Sequence, residues 1–256
     1  MLPKRKVVLI TGAGSGIGRA LSIEAAKRGM ALVLAGRRQD ALAETGKLLG
    51  DGGASCIVVS TDITRKDDRE RLVSAISRAH GVLDILVNNA GVVEGGPLEG
   101  CSDEVIARTF ATNVVAPMSL TRDLLPLLLA AKPSRVVNIG SIFGDIGYPG
   151  FACYSATKFA LRGFSIALRR ELEAKGVGVT YAAPRATKTD AAAAFAKLIS
   201  ETKMSMDSPD VVARAIWDAV VAGRDSVYAP APERIYVLIQ RLFPKIIDWS
   251  LARQIH

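Results

Sequence analysis

The 256-residue chain holds three cysteines and two histidines. Cys56, Cys101 and Cys153 are odd in number and lack metal-ligand spacing, and His80 and His256 add no cluster. A disulfide framework and a thiolate–imidazole zinc site are both set aside, and no metal site is expected. A reducing, cytoplasmic setting fits. Aromatic residues are only 5% of the chain. The formal net charge of +8 invites nucleic acid, but the basic residues are scattered over helical segments without an aromatic platform, and nucleic acid is not expected as a partner. Long apolar runs are missing too. LLPLLLAA at 124–131 is too short to span a bilayer, and Pro126 interrupts it. The N-terminal KRK is followed by only VVLI before a glycine-rich segment, too little for the apolar region of a signal peptide. There is no repeat, linker or low-complexity tract. With 49% hydrophobic residues, 1–256 reads as one domain around one large core.

What the chain does have is glycine at informative places. KVVLIT at 6–11 reads as a buried strand, and a helical pattern runs from 16 to about Gly29. Between them, TGAGSGIG places Gly12, Gly16 and Gly18. Such a turn lets a pyrophosphate approach backbone N–H groups at a helix N-terminus. Its G-x-x-x-G-x-G spacing is not the common dinucleotide fingerprint, and alone it would also suit a plain strand–helix turn. Further strands are expected near 31–36, 54–60, 83–88, 134–140, 177–183 and 226–229. Helices are expected near 39–49, 66–79, 102–116, 119–131, 154–175, 187–204 and 209–222. Strands such as ILVNN and RVVNIG lack polar alternation. An α/β fold follows, a doubly wound parallel sheet covered by helices on both faces.

Tyr154 and Lys158 stand four residues apart in YSATK, about one helical turn, so both side chains leave one helix face. A free phenol, with a pKa of about 10, is a poor acid–base group at neutral pH. A neighbouring ammonium favours the phenolate and lowers that value. The phenol can then give a proton to a carbonyl oxygen or take one from an alcohol. Alone, the pair would equally suit a solvated helix face.

Together these motifs resemble the short-chain dehydrogenase/reductase family. TGAGSGIG, Asp62, NNAG at 88–91, Asn113, Ser141, and Tyr154 with Lys158 follow its order and spacing from residue 6 to about residue 190. The resemblance implies a Rossmann-type sheet of seven strands in the order 3-2-1-4-5-6-7. It implies a catalytic set in which Tyr154 moves the proton, Ser141 donates to the substrate oxygen and Asn113 anchors a water chain to Lys158. Lys158 would also hold the nicotinamide ribose. Gly12, Ser15, Gly16, Ile17 and Gly18 would hold the cofactor phosphates, and Asp62, with Ile63 beside it, the adenine. Asn89, Ala90 and Gly91 would pass close to the ribose, whereas Asn88 reads as a tie between strands. Pro184, Thr187 and Thr189 would meet the nicotinamide amide.

The end of the second strand decides between cofactors. Where an NAD site puts a carboxylate for the ribose 2′-OH, this chain has Gly36 followed by Arg37 and Arg38. A guanidinium pairs with a 2′-phosphate, so NADP(H) is expected, with Ser15 able to add a hydrogen bond. One departure stands out: Pro184 is followed by Arg185, where the family usually has glycine. The loop then takes another path, or Arg185 reaches cofactor phosphates or an acidic part of a substrate. Residues 185–208 read as a substrate lid, and 232–256 as an amphipathic helical tail with Ile235, Leu238, Ile239 and Leu242 at helical spacing. That tail is expected to cover apolar surface beside the active site, within the subunit or across a homodimer or homotetramer; the alternative is peripheral membrane contact. The aromatic and glycine-rich 142–151 suits an apolar pocket wall. The expected activity is NADPH-dependent interconversion of a carbonyl and a secondary alcohol on an apolar small molecule. The alternative is a non-catalytic NADP-binding sensor or scaffold on the same fold.

Overall fold

The structure, a computed structural model, describes residues 5–50, 56–189, 192, 195, 206–229 and 233–255. Seven parallel strands form one sheet: β1 (Val7–Thr11), β2 (Ala31–Gly36), β3 (Cys56–Ser60), β4 (Ile85–Asn88), β5 (Ser134–Ile139), β6 (Val177–Pro184) and β7 (Ser226–Ala229). Their order is β3-β2-β1-β4-β5-β6-β7, as the motif series implies. Val8 is in register with both Leu32 of β2 and Ile85 of β4. Chain order therefore reverses direction at the β1–β4 boundary, where open α/β sheets place their ligands.

Helices cover both faces. On one side α1 (Gly16–Lys27) and α7 (Pro209–Val221) bury Leu21, Ala25, Ile216 and Trp217 against β1, β2 and β4. Trp217 is fully buried, and its indole N–H donates to the Leu21 carbonyl at 2.9 Å. On the other side α3 (Lys66–His80), α5 (Ala116–Ala130) and α6 (Ala152–Leu172) bury Leu72, Ile76, Leu120, Leu124 and Leu172. With both faces dry, the strands need no alternation, which explains the continuous burial of VVLIT in β1. The remaining helix on the sheet's flank, α2 (Gln39–Leu48), follows β2.

Three expectations are revised. The two helices read at 102–116 and 119–131 are one continuous run, α4 (Asp103–Phe110) passing into α5 through a π-helical turn at Ala111–Val115. Pro117 falls inside this run, just after the π-helical turn. The helix read at 187–204 lies mostly outside the described residues, but Thr187 is extended and bridges to Asp207. The tail forms two helices, α8 (Glu233–Leu242) and α9 (Pro244–Ile255), because Pro244 cannot continue the first and starts the second. No helix among the described residues is long and apolar enough to cross a membrane.

Candidate active site

A cavity of 640 Å³ opens at the carboxyl ends of the central strands. Its wall begins with the glycine loop between β1 and α1. Gly12 has φ +66°, and a Cβ there would stand 2.9 Å from the Ala90 Cα. A Cβ on Gly18 would collide with the Gly12 carbonyl. These two positions therefore need glycine for close backbone approach. Thr11, the first residue of TGAGSGIG, locks the loop to its neighbour. Its hydroxyl accepts from the Asn89 and Ala90 N–H groups, each at 3.0 Å, and donates to the Val87 carbonyl. The Asn89 amide donates to the Thr11 carbonyl at 2.9 Å, so Asn89 positions the loop as well as lining the cavity. Asn88 donates to Asn138 on β5 and Thr121 on α5, a tie between elements as expected.

Gly36, Arg37 and Arg38 form the next part of the rim. Arg38 reaches across to Ser15, Nη2 to Oγ 3.2 Å, so both groups expected at a 2′-phosphate share one spot. Asp62 and Ile63 line the cavity beyond them. The Asp62 carboxylate accepts from the Thr64 N–H and hydroxyl at 3.0 and 2.6 Å, an Asx turn ahead of α3, which starts at Lys66 as expected.

Ser141 follows β5, and Tyr154 and Lys158 stand one turn apart near the start of α6. All three face the cavity, as do Ala90 and Gly91, Gly16 and Ile17, and Pro184, Thr187 and Thr189. The Ser141 hydroxyl accepts from the Phe143 N–H at 3.2 Å and pairs with the Tyr154 phenol. Lys158 is buried, donates to the Ile139 carbonyl at 3.0 Å, and lies 5.5 Å from the centre of the Tyr154 ring. Asn113 lies behind the cavity wall, in the π-helical turn. Its amide exchanges two 2.8 Å hydrogen bonds with the backbone of Val92 and donates to Thr157. A Cβ on Gly91 would stand 3.1 Å from Asn113 Oδ1 and 3.8 Å from Lys158 Nζ, so the glycine brings these two groups near each other.

The acid–base balance differs from the expectation. Burial pushes the Tyr154 phenol up to about 12, with its hydrogen bond to Ser141 opposing, and burial pulls Lys158 down to about 8. At the phenol, desolvation therefore outweighs the hydrogen bond with Ser141.

Two further residues stabilise the serine loop from behind. Tyr181 on β6 donates its hydroxyl hydrogen to the Ser141 carbonyl at 3.1 Å and accepts from the Ser141 N–H at 3.4 Å. Side chains at Gly140 or Gly144 would collide with that phenol. Asp145, four residues after Ser141, has a fully buried carboxylate. It meets Arg162 of α6 at 2.9 Å, the Tyr228 hydroxyl of β7 at 3.1 Å and Arg241 of α8 at 3.3 Å. Its long-range partners are invisible in a linear reading. Arg185 lines the cavity, and its guanidinium forks onto Asp207 at 2.7 and 3.1 Å. With Asp207 N–H donating to Ala186 and Lys188 N–H to Asp207, this clamp ties together the two ends of the segment read as a lid. Phe143, Tyr148, Phe151 and Phe195 gather around Tyr154, the first and last 6.2 and 6.0 Å from its ring. The described tail residues do not line this cavity. Val237 and Ile247 are buried, but Leu238, Leu242, Phe243, Ile246 and Trp249 are exposed, because the tail packs over β7 with only one side.

A short chain dehydrogenase family model matches residues 6–198. Epidermal retinol dehydrogenase 2 of Mus musculus is 32% identical over 91% of this chain and 76% of its own length. Human 17-beta-hydroxysteroid dehydrogenase 13 is 29% identical over 97% and 82%. Among solved structures, a short chain dehydrogenase/reductase from Burkholderia phymatum in complex with NAD superposes with TM-score 0.88 at 28% identity, covering 95% of each chain. A Sphingobium yanoikuyae short-chain dehydrogenase in complex with NADPH gives 0.81 at 28% identity, again over 95% of each. Fold, cavity and sequence agree that this chain belongs to the short-chain dehydrogenase/reductase family of oxidoreductases.

Proposed function

We propose that the protein is an NADPH-dependent oxidoreductase that interconverts a carbonyl and a secondary alcohol on an apolar substrate. The observation that carries this reading is the convergence of Tyr154, Ser141 and Lys158 on the cavity that also holds the glycine loop. The loop fits a dinucleotide: a Cβ at Gly12 or Gly18 would meet neighbouring backbone, and the N-terminus of α1 lies open beside Ser15. Arg37, Arg38 and Ser15 would take the 2′-phosphate, and Lys158 the nicotinamide ribose. When bound, the cofactor supplies or accepts the hydride. Ser141 orients the substrate oxygen, and Tyr154 delivers its proton in reduction or removes one in oxidation. A phenol held near 12 is protonated at neutral pH, the form that reduction requires. Asn113 would anchor a water chain that leads to Lys158. The aromatic cluster around Tyr154 gives the substrate an apolar wall. Exposed Met118 on α5 and Phe159 on α6 offer apolar surface for a homodimer or homotetramer.

The test is turnover against ketones, aldehydes, 3-oxoacyl thioesters and steroids. Tyr154→Phe should bind NADPH normally yet lose at least about two orders of magnitude in kcat. Wild type should bind NADPH more tightly than NADH, and Arg38→Ala should remove about tenfold of that preference. Near-normal turnover in Tyr154→Phe would point to the non-catalytic alternative.

A further inference from the structure

A second cavity, of 490 Å³, lies between α6, the β6–β7 edge and α8, on the far side of Tyr181 from Ser141. Four guanidiniums reach it: Arg162 and Arg169 from α6, Arg234 and Arg241 from α8. Two carboxylates answer them. Asp145 serves both Arg162 and Arg241, and Asp225 meets Arg169 at 3.4 Å. Arg234 has no ion pair among the described residues. Four positive charges against two negative leave an excess of two. Arg162 and Arg169, 22% and 31% exposed, hold the two carboxylates, so the excess lies with exposed Arg234 and with Arg241, which is 53% exposed. The opposite wall is apolar, made by Ile166, Ile235, Val237 and Leu238. Ile235 and Leu238 are themselves exposed and lead onto the uncovered face of α8 at Leu242. The chemistry needed is an anion for the arginine forks and a hydrocarbon chain for the wall beside them.

We propose that this cavity binds a single-headed anionic amphiphile, a carboxylate or phosphate monoester on an alkyl chain, at a site separate from the catalytic cavity. The headgroup lies among Arg162, Arg169 and Arg234, and the chain follows Ile235 and Leu238 out along α8. Neither the glycine loop nor Tyr154 takes part, so binding does not require the nicotinamide cofactor.

The test is calorimetric titration of the full-length protein with decyl phosphate below its micelle concentration, with decanol as the neutral analogue. Vesicles rich in anionic phospholipid form a separate arm. Decyl phosphate should bind saturably, one per chain, and at least about tenfold more tightly than decanol. Arg234→Ala and Arg169→Ala should each weaken it about tenfold. Leu238→Glu, a change at an exposed position that puts a carboxylate at the mouth, should weaken it further while leaving the melting temperature near that of wild type. Arg38→Ala should change nothing; a loss there and none in Arg234→Ala would place the anion in the other cavity and overturn the proposal. Absence of binding to decyl phosphate overturns it too. So does binding to vesicles alone, which would assign the contact to the exposed tail face.

Discussion

Lys158 is the residue where function and stability pull apart most. Burial holds its ammonium near 8 in the ligand-free fold, against 10.5 when free. Between those values the unfolded chain binds more protons than the folded one, so raising the pH through this window stabilises the protein. Below pH 8 the full desolvation penalty is present; above 10.5 it is gone. Wild type should therefore gain stability, on the order of 3 kcal/mol, between these limits relative to Lys158→Met, which has no proton to lose. Urea midpoints of both proteins without cofactor, taken across pH 7 to 10.5, measure it. A pH-independent difference would mean the lysine is not desolvated as the structure shows. The same variant should be inactive, since it lacks the ammonium beside the phenol proposed to move the proton.

At the scale of elements, the serine loop is held by a convergence of three. Asp145 binds it to α6, β7 and α8 through Arg162, Tyr228 and Arg241. Burial raises the Asp145 carboxyl, and Arg162 opposes that rise. Removing the charge leaves a mostly buried Arg162 without its counter-ion. Asp145→Asn should cost roughly 3 kcal/mol of stability. It should also lower kcat through Ser141 while NADPH affinity stays within about twofold, because the glycine loop proposed to hold the cofactor is packed elsewhere. Arg241→Ala should cost less, about 1 kcal/mol, since that side chain is 53% exposed. Thermal melts and cofactor titrations separate these effects. If Asp145→Asn loosened cofactor binding as much as turnover, the carboxylate would be a support of the whole cavity rather than of Ser141.

Across the whole molecule, the tail is an addition to a sheet that closes without it. Val237 and Ile247 are its buried large side chains among the described residues. At about 1.5–3 kcal/mol each, deleting residues from Pro232 onward should lower the melting temperature on the order of 10 °C. NADPH affinity should be nearly unchanged, because Gly12, Ser15 and Arg38 sit in the turns after β1 and β2, across the sheet from β7. Scanning fluorimetry and cofactor titration of the truncated chain check both halves of that statement.

Much of this was legible in the chain because it is written locally. A dry strand shows as VVLIT, a tight glycine turn as Gly12 to Gly18, and a helix face as Tyr154 with Lys158; each needs only neighbours within a few residues. The order of motifs then implied the order of strands, since right-handed crossovers leave few topologies. The structure alone decided what depends on residues far apart. It set Arg185 on Asp207, Tyr181 behind Ser141 and Arg241 on Asp145, and it raised Tyr154 where proximity to Lys158 had implied lowering. It also left the tail's apolar side uncovered. Local pattern fixes which side chains can share a face. Which of them meet across dozens of residues, and how much water they lose in meeting, is set by how the elements stack, and charge pairing and pKa follow from that.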